Sequence, residues 1–121
     1  MADAETIVRR ICLSFPEVEE RLSHGHPGWF VQGKKQFAAF HWRHHDVDRV
    51  HVWCAAPPGA QEALVLAKPE RYFRPPYVGH RGWVGVYLDD EFDQAELEGL
   101  LTEAYIVVCP PRLRAGFEAL S

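Results

Sequence analysis

The residues best suited to chemistry in this chain are its seven histidines. His24 and His26 flank one glycine, His44 and His45 are adjacent, and His41 and His51 stand either side of the polar loop RHHDVDR. Imidazoles in close pairs bind zinc and carry protons near neutral pH. These pairs lack the thiolate or carboxylate partners at familiar zinc spacings. Cys12, Cys54 and Cys109 lie far apart with no CxxC, which suits buried, reduced thiols rather than a disulfide framework. Glu17, Glu19 and Glu20 read as a solvated edge. There is no Gly-x-Ser-x-Gly, phosphate loop or dinucleotide fingerprint. No metal, no cofactor and no catalytic set is therefore expected. An enzyme using His24 or His26 remains as a third class of reading.

Two other groups of residues suit binding. Basic residues gather at Lys34 and Lys35, at Arg43, His44, His45 and Arg49, and at Arg74 and Arg81. Cations at hairpin tips can hold phosphates. The formal net charge of −4 argues against a surface that is basic throughout, and leaves room for a local patch. The second group is aromatic. The stretch RYFRPPYVGHRGWVGVYLDD, residues 71–90, gathers Tyr77, Trp83 and Tyr87 among Pro75, Pro76, Gly79 and Gly85. A glycine between aromatics leaves a dent that a backbone or a ligand can approach, and aromatic faces stack planar rings.

These residues must be held by something. The chain has 121 residues, 47% hydrophobic and 25% charged, which fits one domain spanning 1–121 with its own core. No apolar run approaches the roughly 20 residues of a membrane span. The start, MADAETIVRR, lacks the basic and apolar blocks of a signal peptide. A cytoplasmic protein without membrane contact is expected. Asp3 caps a helix with Ile7, Val8, Ile11, Cys12 and Phe15 on one face, and Pro16 stops it. Residues 29–42 form a hairpin turning at Gly33-Lys34, and 50–55 a further strand. Pro57 and Pro58 open a helix with Ala60, Ala63, Leu64 and Ala67 on one side. A weak strand near Tyr72 and a clear one over 83–88 follow. Asp93 caps a helix with Leu97, Leu100, Leu101, Ala104, Tyr105 and Val108 turned inward, and a short helix ends the chain. The fold class is α+β: one antiparallel sheet, helices on one face, order α-β-β-β-α-β-β-α plus a short C-terminal helix.

Alternation along the strands assigns the faces. A Gly33-Lys34 turn pairs Phe30 with Phe37 and sets both, with Ala39, His41 and Val52, under the helices. His51 then points the opposite way from His41. The second face carries Trp29, Trp42, Trp53 and Trp83, and a pocket there would use His24, Trp29, Trp42, Trp53, Tyr77, Gly79, Trp83 and Gly85. The alternative is that this face is covered by the chain itself or by a second copy, so monomer and homodimer both stay open.

Three segments, LSFPEVEERLSHGHPGWFVQGKKQFAAF, PPGAQEALVLAKPERYFRPPYVGHRGWVGVYLD and LLTEAYIVVCPPRL, resemble the MmcQ/YjbR-like proteins, in the family's order and over nearly the whole chain. The resemblance implies a compact α+β domain like the secretion chaperones and the frataxin-like proteins. It also implies a "double-wing" role in DNA binding, the wings being the hairpins that carry Lys34 and Lys35, and Arg43 to Arg49. It brings no enzyme activity, cofactor or catalytic residue. Two expectations follow: a non-catalytic domain that binds DNA through its wings, or a module that binds a small molecule, a peptide or its own copy on the aromatic face.

Overall fold

The computed structural model of the chain describes residues 3–42, 49–89 and 91–119. Helix α1 (Ala4–Leu13) starts where the Asp3 carboxylate accepts the Thr6 amide at 2.8 Å. Strands β1 (Val18–Ser23), β2 (His26–Val31), β3 (Lys35–His41) and β4 (His51–Cys54) follow, then helix α2 (Ala60–Ala67). After the two-residue β5 (Tyr72–Phe73) come a 3₁₀ turn at Gly79–Arg81, strand β6 (Val84–Tyr87), helix α3 (Gln94–Val108) and helix α4 (Pro111–Ala119). The strands form one open antiparallel sheet in the order β1-β2-β3-β4-β6-β5.

The fold class is the expected one, with one strand more than the sequence suggests. The glutamates of the run Glu17 to Glu20 are exposed, as a solvated edge requires, and the run leads into β1, an edge strand paired along its length with β2. Glu20 is engaged on the helix side, where it accepts from Arg9 Nε at 2.8 Å and from the Trp29 indole at 3.0 Å.

The turn between β2 and β3 differs by one residue from the expected one. Val31 pairs with Lys35, so the loop is Gln32-Gly33-Lys34, with Gln32 and Gly33 both at positive φ. Phe30 pairs with Gln36 and Trp29 with Ala38, which leaves Phe37 as the extra residue of a bulge. The bulge resets the faces. Pairing places Trp29, Ala38, Phe40, Val52, Cys54, Val84 and Val86 together on one face. Phe37 joins them, meeting Phe15 of the α1–β1 connection and Tyr105 of α3 at ring distances of 6.1 and 5.8 Å. This is the main core, closed by the Phe15–Tyr105 stack and by the Tyr105 hydroxyl, which donates to the Pro16 carbonyl at 2.9 Å.

Trp29 is thus a core residue of the helix-covered face, fully buried, and not part of the second face. Ala39, His41 and Phe30 move the other way. Trp42 lies just past β3, half exposed, against Phe40 and His26. In α2, Ala63 and Ala67 are exposed, and the buried residue is Gln61. Cys12, Cys54 and Cys109 are free and buried, and burial pushes the Cys54 thiol up to about 12, which leaves it un-ionised at neutral pH.

Candidate ligand-binding groove

The second face of the sheet carries a row of imidazoles. His41 and His51 are directly paired, so they share a face, with rings 5.1 Å apart and 13° from parallel. The β3–β4 register, one residue away from an Arg43–Val50 hairpin, is what overturns the expectation that they diverge. His26 stands 4.3 Å from His41 on the far side, and Trp53 lies 4.1 Å from His41. The His51 Nδ1–H donates to the Arg49 carbonyl at 2.7 Å, since a carbonyl can only accept. Among the described residues no group of three His, Cys, Asp or Glu side chains has the geometry to hold a metal ion. The row forms an aromatic floor along the second face.

Burial lowers the proton affinity of both His51 and His26. The sign is fixed by linkage. Above about pH 6.5 the two rings are neutral folded or unfolded; as the pH falls below that value the unfolded chain protonates first, and stability is lost. The Asp89 carboxylate, held low chiefly by its hydrogen bonds from Arg49, contributes only below its ordinary value of 3.8. The urea midpoint is therefore expected to fall between pH 7.5 and 5, and His51→Gln, which takes no proton, to flatten that slope.

A groove of about 900 Å³ opens over part of this floor. His26, Phe30, Gln36, Ala39, His41 and Trp53 form its base, while Tyr77, Val78, Arg81 and Trp83 form one wall. Ser23, His24, Lys34 and Lys35 contribute from the β1–β2 and β2–β3 turns, and Val107 and Val108 from the end of α3. The wall is anchored from behind. The buried Gln61 amide donates to the carbonyls of Gly79 and Trp83 at 2.8 and 2.5 Å.

Of the residues proposed for a pocket, His24, Trp53, Tyr77 and Trp83 line this groove; Trp29, Trp42, Gly79 and Gly85 do not. Gly79 lies under the Arg74 side chain. The dent at Gly85 exists, but the ring of Phe73 fills it: a Cβ built there falls within clashing distance of three Phe73 ring atoms. Phe73 in turn stacks on Tyr87 at 4.6 Å. His26, His41, Phe30 and Gln36 were not legible as groove residues, because the bulge that turns them there leaves no mark in the hydrophobic pattern.

The basic candidates divide. Lys34, Lys35 and Arg81 are exposed and reach the same groove, and the Arg81 guanidinium sits 5.7 Å from the Trp83 ring centre. Arg74 is exposed beside Gly79. Arg49 is committed elsewhere: it makes a two-pronged pair with Asp89 at 2.6 and 3.0 Å and covers the Tyr87 ring at 3.6 Å. Arg43, His44 and His45 lie outside the described residues.

An open antiparallel sheet with helices over one face and a groove on the other defines a small α+β domain architecture. Comparison narrows it: the YjbR family model matches residues 13–106, and the chain belongs to the YjbR family. The crystal structure of Deinococcus radiodurans protein DR2400, with family-model domain DUF419, is similar at a TM-score of 0.71 and 19% identity, covering 93% of this chain and 83% of that one. At that identity the likeness concerns the fold. No curated protein matches the chain. No helix among the described residues is long and apolar enough to cross a membrane.

Proposed function

We propose that this YjbR-family chain is a non-catalytic binding domain whose ligand sits in the groove on the second face of the sheet. The observation that carries this reading is the convergence of Trp53, Trp83, Tyr77 and Phe30 with Lys34, Lys35 and Arg81 around one concavity. Concave aromatic walls with a few polar groups are what small-molecule sites are made of. The grip on duplex DNA by two wings draws less support, since Arg49, one of its cations, is held by Asp89.

The test is chemical-shift mapping of the ¹⁵N-labelled protein against a fragment set of planar and non-planar small molecules, and separately against a duplex DNA at low salt. Shifts centred on the Trp53 and Trp83 indoles with fragments are the expected result. Shifts confined to the hairpin tips, seen with duplex alone and lost steeply as salt rises, would replace the groove by the wings.

A further inference from the structure

We propose that the groove selects a planar aromatic ring bearing a negative group, and that Tyr77 is the residue that closes on the ring; this rests on the groove being the binding site. Two independent observations lead there. The first is charge. The chain carries a net −4, yet no described residue lining the groove is a carboxylate. Arg9, Arg49 and Lys68 are each paired with a carboxylate, whereas Lys34, Lys35 and Arg81 are not. An acidic protein that keeps three uncompensated cations around one aromatic concavity has built an anion's environment there.

The second observation is backbone strain. Tyr77 has φ +67, and the Val78 amide donates to the Pro76 carbonyl at 2.7 Å across it, closing a three-residue γ-turn of the unfavourable hand. His24 also has positive φ, but it shares a two-residue hairpin turn with Gly25, where both positions require it. Tyr77 has no such requirement. A bulky aromatic residue in this conformation is an outlier, and the residue is 68% exposed, so burial does not offset the strain. The strain holds the ring at the groove wall opposite the Trp53 and His41 floor. A planar ligand ring entering there meets the exposed Tyr77 side chain, with Arg81 and the Lys34-Lys35 tip placed for its charge.

Calorimetric titration with two matched probe pairs tests this: naphthalene-2-carboxylate against naphthalene-2-carboxamide, and adenosine 5′-monophosphate against adenosine. At about 20 mM salt each anion should bind roughly tenfold more tightly than its neutral partner, and the gap should close near 500 mM, where the screening length falls to a few ångströms. Replacing Lys34, Lys35 and Arg81 together by Gln should bring the two members of each pair to equal affinity. Tyr77→Gly should weaken both members of a pair about tenfold, the worth of one stacking face, while raising the melting temperature; Tyr77→Phe should bind as the parent does. Equal affinity for anion and neutral partner overturns the charge assignment and leaves the groove standing. Unchanged affinity in Tyr77→Gly overturns the role of Tyr77. If no member of either pair binds, the groove reading itself falls.

Discussion

Trp29→Ala should cost the fold about 3–5 kcal/mol while leaving groove binding unchanged in any variant population that remains folded. The side chain is fully buried on the helix-covered face, so its removal leaves a cavity that the close-packed core can only partly fill. A second loss comes from the indole N–H, which donates to Glu20 at 3.0 Å beside Arg9. Trp29→Phe should be milder, since it keeps most of the volume and loses only the donor. Urea unfolding of both variants separates the two contributions. A Trp29→Ala protein that stays within about 1 kcal/mol of the parent yet loses ligand binding would place Trp29 on the wrong face here.

Gly85→Val should destabilise by about 1–3 kcal/mol, the usual range for overpacking. The cause is the Phe73 ring, which occupies the space over Gly85 and is itself held between Tyr87, stacked at 4.6 Å, and the edge-on ring of His51 at 5.4 Å. New methyl groups must push that ring out of its stack. The double variant Gly85→Val with Phe73→Ala relieves the clash, so the two changes together should cost clearly less than their sum. Simple additivity would mean that the ring was never the obstacle.

Much of this architecture is legible in the sequence because local chemistry and tertiary packing agree. Asp3 and Asp93 cap helices as their side chains suggest, and the apolar stripes of α1 and α3 face the sheet. Strand β1 is not legible, because an edge strand with Glu20 satisfied by Arg9 and Trp29 needs no apolar alternation. The faces of β2 and β3 are lost at a single residue. Counting back from the Gly33-Lys34 turn gives an uninterrupted ladder, whereas the Phe37 bulge consumes one position and exchanges the destinations of Trp29 and His41. Trp53 keeps its face because β3 and β4 also pair one residue away from the expected register, Ala39 with Trp53 rather than with Cys54, and this second shift cancels the first. The glycine at 85 correctly signals a close approach, but a side chain from β5, a strand of two residues, makes it. Gln61 is invisible for another reason: a polar residue in a helix reads as solvent-facing until its two carbonyl partners are known.

That glutamine ties the two layers into one cooperative unit. Segment 79–83 holds its 3₁₀ turn by backbone bonds from Arg81 to Val78 and from Gly82 to Gly79, and the Gln61 amide adds a link from α2. Lifting the wall away from the floor takes that donor from the Gly79 and Trp83 carbonyls together, so fraying of the wall is coupled to α2. Whatever the groove admits is thus selected in part by a helix that never touches it. On the proposed reading of the groove, ligand affinity would contain a share of the stability of α2, and sequence drift on that helix would retune the groove without altering any residue that lines it.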